Sequence, residues 1–101
     1  MFSDGKEKRR YPRPEVHCKV FVYKDSSNII SSYTEDISEG GLRAVFDERL
    51  KLSSVVDMEI FLQDEPIKCK GKIAWVKEVK DAKQPEAVFY DTGIEFLQKP
   101  V

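Results

Sequence analysis

Two short constellations in this sequence hold side chains able to recognise a ligand. The first is Lys8-Arg9-Arg10-Tyr11-Pro12-Arg13, in which Arg9 and Arg13 are separated by three residues. A guanidinium is planar and permanently charged. Its fork can donate paired hydrogen bonds to guanine O6 and N7 or to phosphate oxygens, and its face can stack on a base. Lysine does neither as well. The second is Asp36-Ile37-Ser38-Glu39-Gly40-Gly41. An ionised Asp36 accepts hydrogen bonds from the N–H edge of a base, and Ser38 donates to an acceptor oxygen. Gly41 allows tight backbone geometry or close approach of another group. Taken singly, each has a bland explanation: short basic runs are usually solvated, and Asp, Ser and Gly are ordinary turn residues.

Other chemistry finds little support. The only histidine, His17, falls within a strand-like pattern and reads as a partly exposed strand residue. The serines lie in turn-rich segments without a nucleophile elbow, and no phosphate-cradling Gly-x-x-x-x-Gly-Lys loop occurs. Cys18 and Cys69 stand far apart with no Cys-x-x-Cys pair, so they read as buried thiols and no metal site is expected. The sequence therefore points to a binding module and not an enzyme.

The elements that must position the two constellations follow from composition and periodicity. At 101 residues the chain is long enough for one modest core. Charged residues make up 35% of it in nearly balanced numbers, for a net charge of −1, so bulk charge implies no polyanionic partner. No apolar run is long enough to span a bilayer, and MFSDGKEKRR lacks the apolar stretch of a secretory signal. A cytoplasmic location with no membrane partner is the resulting expectation.

Residues 1–14 are polar, charge-dense and closed by Pro12 and Pro14, a composition expected to form a flexible arm; residues 15–101 are expected to form the folded domain. Val16, Cys18, Val20 and Val22 alternate with His17, Lys19, Phe21 and Tyr23 as one strand, and Lys24 to Asn28 is a turn cluster. Ile29 to Ile37 reads as its hairpin partner, and Leu42 to Phe46 as a short third strand. Asp47 to Ser54 follows as a polar connection anchored by Leu50 and Leu52. Met58, Ile60 and Leu62 form the inward phase of the next strand. Ile67, Cys69, Gly71, Ile73 and Trp75 then face inward against Lys68, Lys70 and Lys72. Asp81 to Pro85 reads as a loop, and Ala87 to Leu97 as a last strand interrupted at Asp91-Thr92-Gly93. About six short antiparallel strands without a helix favour an all-β barrel or sandwich.

Taken together, Arg9-x-x-x-Arg13 and Asp36-x-Ser38-x-x-Gly41 resemble the paired motif of PilZ domains, receptors for the bacterial second messenger cyclic di-GMP. Gly40-Gly41-Leu42, the Gly71 to Trp75 strand and Gly93-Ile94-Glu95-Phe96 resemble the family's pattern in order and position, so the likeness spans roughly Lys8 to Leu97. It implies an all-β, six-stranded antiparallel barrel whose amino-terminal arm folds over a ligand held on the barrel surface. Many members carry a helix after the Gly-Ile-Glu-Phe segment; little or no C-terminal helix is expected here. By the resemblance, Arg9 and Arg13 would contact guanine and phosphate, Asp36 and Ser38 would read guanine, and Gly41 would shape the turn. Lys8, Arg10 and Gly40 are weaker candidates. Lys8, directly before the first motif arginine, occupies a position that in some members influences whether one ligand or a stacked pair binds.

The expectation is thus a cyclic di-GMP receptor or adaptor, without cofactor, that reorders its arm on binding and signals to an unidentified downstream protein. One rival is a barrel of the same family that no longer binds nucleotide and serves as a protein-interaction module. The other is a small barrel that binds single-stranded nucleic acid through Lys68, Lys70 and Lys72 beside Phe21, Tyr23 or Phe61. For those lysines a solvated strand face is the preferred reading.

Overall fold

The computed structural model describes residues 17–62 and 64–97. The arm 1–14, with Lys8, Arg9, Arg10 and Arg13, lies outside them. Lys19–Asp25 forms the first strand, β1, whose alternation buries Val20 and Val22 completely and turns Phe21 and Tyr23 to the outer face. At its end the Asp25 carboxylate accepts the backbone N–H groups of Ser27 at 2.9 Å and Asn28 at 3.0 Å. That Asx-type turn reverses the chain into β2, Asn28–Ile37. Then come β3 (Gly41–Phe46), β4 (Val55–Phe61), β5 (Ile67–Asp81) and β6 (Gln84–Phe96).

All neighbouring strands pair antiparallel, and the sheet closes in the order β1-β2-β3-β6-β5-β4, with β4 paired back to β1. The chain therefore makes two three-stranded meanders joined by residues 47–54. The expected six-stranded antiparallel barrel is what forms, and no helix occurs among the described residues. Closure satisfies the backbone groups that an open sheet of this size would leave at its edges.

The inward phases fill the barrel. Val20, Val22, Ala44, Phe46, Met58, Ile60 and Ile73 are at most 1% exposed, and Leu42, Val56 and Ile94 complete the packing. Side chains such as Phe46, Met58 and Ile60 each contribute about 1.5–3 kcal/mol by leaving water. Cys18 and Cys69 are buried free thiols, as their spacing suggests. Burial without a charged partner pushes the Cys69 thiol pKa up.

Four expectations drawn from the pattern of apolar residues are not met. Trp75, expected inside, is 42% exposed, because the β5–β6 register shifts between Ile73 and Trp75. The extra residue, Ala74, reverses the phase: Trp75 faces out and Val76 takes the core side. Leu50 is buried as expected, but Leu52 is exposed, since the turn at Lys51 to Ser54 closes on itself through Ser54 N–H to the Lys51 carbonyl. Leu62 lies past the last barrel pair of β4 and is also exposed. Finally, β6 runs without a break through Asp91-Thr92-Gly93, paired to β3 on one side and β5 on the other; the irregularity lies in β5 instead.

Candidate functional site

Asp36 owes its orientation to a second bulge. Thr34 is fully buried opposite Ala44, and by strict alternation Asp36 would point inward too. The β2–β3 register shifts between Thr34 and Asp36, so the extra residue Glu35 turns Asp36 outward opposite Arg43. Past the bulge Ile37 packs against the core.

Register extends this pair into a row across the barrel exterior. Asp36 lies beside Arg43, Arg43 beside Gly93, and Gly93 beside Trp75. Three strand spacings of nearly 5 Å separate Asp36 from Trp75, about 14 Å measured around the barrel surface. Gly93 has no side chain, and the Trp75 indole lies directly over it; a Cβ there would overlap the ring. In the middle of the row the Arg43 Nε donates to both Asp91 carboxylate oxygens, at 2.9 and 3.2 Å. That hydrogen bond, the charge of Asp91 and the more distant charges of Glu35 and Asp36 raise the Arg43 pKa above its ordinary value. The row thus offers a carboxylate, a fixed guanidinium and an exposed aromatic face.

The Ser38 to Gly41 turn closes one end of the β2–β3 hairpin. Ser38 N–H donates to the Gly41 carbonyl at 2.9 Å, Gly40 N–H donates to the Ser38 hydroxyl at 3.3 Å, and Phe96 N–H donates to the Gly40 carbonyl at 2.9 Å. As an acceptor toward Gly40, Ser38 keeps its O–H proton for an acceptor in solvent. Gly41 is required by close approach: a Cβ at this position would run into the Ile94 carbonyl oxygen on β6. Gly40 has open space around it.

Beside this turn lie His17 and Cys18, the first described residues. Thr34 N–H donates to the Cys18 carbonyl at 2.8 Å, and Cys18 N–H donates to the Thr34 hydroxyl at 2.9 Å. The His17 ring Nδ1 lies 2.7 Å from the Thr34 carbonyl, as its donor partner. One buried threonine therefore ties down both His17 and Cys18, two residues from Asp36. His17, expected within a strand, stands exposed just before β1.

The lysine stripe is not a basic track. Lys70 pairs with Asp57 at 2.7 Å, and Lys68 lies opposite Glu59 in the β4–β5 register. Glu59 also accepts the Tyr23 hydroxyl at 2.6 Å, and Phe21 packs edge-on against Phe61. Each aromatic proposed for base stacking is thus engaged on a charge-balanced face, the pattern of a solvated strand surface.

A family model described as PilZ domain matches residues 7–100. The chain belongs to the PilZ domain family. PilZ domains are, in general, cyclic di-GMP receptors and adaptor modules. No curated protein and no solved structure matches the chain.

Of the motif residues expected from the sequence of this PilZ domain, Asp36, Ser38, Gly40 and Gly41 come together at one end of the β2–β3 hairpin. Lys8, Arg9, Arg10 and Arg13 fall outside the described residues. Two row members escaped the sequence reading. Arg43 was signalled by its outward phase between Leu42 and Ala44; Trp75 was hidden by the bulge at Ala74. No group of three or more metal-ligating side chains occurs among the described residues, and no helix there is long and apolar enough to cross a membrane.

Proposed function

We propose that this PilZ domain binds cyclic di-GMP between Arg9 and Arg13 of its arm and the Asp36 to Gly41 turn, and that ordering of the arm carries the signal to a partner protein. The observation that supports this most directly is the anchorage of His17 and Cys18 on Thr34. Asp36 is about 7 Å further along β2 from that anchor. Arg13 is five residues before Cys18 and Arg9 nine before it, reaches of about 17 and 31 Å for extended chain. Both guanidiniums can therefore meet Asp36 and Ser38 on one ligand. Asp36 would accept from the guanine Watson–Crick edge, Ser38 would donate, and the arginines would take phosphate and the Hoogsteen edge. Trp75 would offer a base a stacking surface at the far end of the row.

Ordering the arm costs roughly 1–2 kcal/mol for each backbone residue fixed, so no single contact suffices. Several charge-assisted hydrogen bonds to a dianion must act together, which makes the ligand the condition for arm ordering and supplies the switch.

Trp75 is the only tryptophan, so its emission tests whether the ligand reaches the far end of the row. Titration with cyclic di-GMP should change its emission saturably and shift the backbone resonances of residues 8–13, while cyclic di-AMP and GTP should do neither. A silent titration with cyclic di-GMP would favour the interaction-module reading. Arg13→Ala should weaken binding by about 1–3 kcal/mol, and unchanged calorimetric affinity would remove Arg13 from the site.

A further inference from the structure

β5 and β6 outgrow the barrel. Pairing between β4 and β5 ends at Val55 with Lys72, and the Ser53 N–H and Ser54 carbonyl cover Ile73. Pairing between β3 and β6 ends at Phe46 with Tyr90. The stretch from Glu78 to Phe89 is thus a two-stranded ribbon. Along Ala74 to Asp81 no strand among the described residues pairs with the outer edge of β5. Val79, at the centre of this ribbon strand, is 38% exposed. An unpaired edge of this length is a template for another strand.

The charges along the edge select which strand. Lys77-Glu78-Val79-Lys80-Asp81 is complementary to itself read backwards. In an antiparallel pair centred on Val79, Glu78 of each copy faces Lys80 of the other, Lys77 faces Asp81, and Val79 faces Val79. Asp81 also accepts the Lys83 N–H at 2.9 Å, so its carboxylate is held in place at the turn. In the same register the hairpin tip of one copy ends beside Trp75 of the other. The barrels therefore sit at opposite ends of the joined ribbons and do not collide. We infer that this edge is a homodimerisation strand, with β5 of two copies pairing antiparallel about Val79 into a continuous four-stranded β6-β5-β5-β6 ribbon with two-fold symmetry.

Sedimentation equilibrium on the full chain over a micromolar to millimolar series tests this, with circular dichroism as the check on folding. Wild type should reach a dimer. Glu78→Lys and Lys80→Glu should each weaken it roughly tenfold or more, because the two-fold axis turns each substitution into two like-charge pairs. The doubly swapped chain should recover the dimer, and an equal mixture of the two single variants should form a heterodimer. A wild type that stays monomeric throughout would overturn the inference. So would a dimer that neither single substitution weakens, which would place the contact on another surface.

Discussion

Asp36 and Trp75 occupy the two ends of one cross-strand row, and each faces solvent only because a single extra residue, Glu35 or Ala74, reverses the alternation of its strand. A bulge locally re-aims side chains while the strands on either side keep their core-facing phases. Here two of them turn Asp36 and Trp75 to the exterior of a fully packed barrel, on strands half a ring apart. Site and core can thus share strands without either giving up its residues.

The indole over Gly93 gives the first prediction. In Gly93→Ala the new Cβ overlaps the Trp75 ring, so the indole must swing away from the sheet. Its emission should shift to the red in the free protein, and cyclic di-GMP affinity should fall by about 1–3 kcal/mol, the usual worth of one base stack. Fluorescence and calorimetry read the two effects separately. An unchanged spectrum would mean that Trp75 does not rest on Gly93 in solution.

Adjacent glycines should respond very differently. Gly41→Ala drives a Cβ into the Ile94 backbone carbonyl, which cannot move without opening the β3–β6 pair, and should cost about 1–3 kcal/mol. Gly40→Ala meets nothing and should stay within about 0.5 kcal/mol of wild type. Urea denaturation of the pair gives the comparison, and equal effects would refute the steric account.

Thr34 is the test of the arm's anchorage. Thr34→Val keeps the volume but removes the hydroxyl that accepts Cys18 N–H in a buried setting, at a cost of about 1–3 kcal/mol. The loosened root should also weaken cyclic di-GMP binding, whereas Thr34→Ser should restore both properties. If thermal unfolding shows the loss but calorimetry shows unchanged affinity, the anchor stabilises the barrel and does not position the arm.

The first hairpin carries a pH signature. The N–H of Ser27, first, and the Asn28 side-chain amide hold the Asp25 carboxyl below its ordinary value. A depressed carboxyl stabilises the fold when ionised, so its contribution is complete above the unfolded value of about 3.9 and fades as pH falls through the lower folded value. Asp25→Ala should therefore lower the melting temperature at neutral pH, and the gap from wild type should narrow in acid below about pH 4. A gap independent of pH would show that the ionised form is not what the turn uses.

What the sequence determined by itself was local and periodic. The inward set Val20, Val22, Met58, Ile60, Cys69 and Ile73 was legible because period-two alternation is a property of consecutive residues. The Asp25 turn and the Asp36 to Gly41 turn were legible because their residue types favour tight reversals, and the spacing of Arg9, Arg13, Asp36, Ser38 and Gly41 carried the family likeness. Tertiary structure alone decided the rest. Bulges at Glu35 and Ala74 depend on how neighbouring strands twist and close into a ring, so nothing local to β2 or β5 announces them. The partnership of Arg43 with Asp91, 48 residues away, and of Trp75 with Gly93 exists only because β6 is inserted between β3 and β5. Strand order is chosen by burial of the whole apolar set at once, a free energy that no single segment encodes.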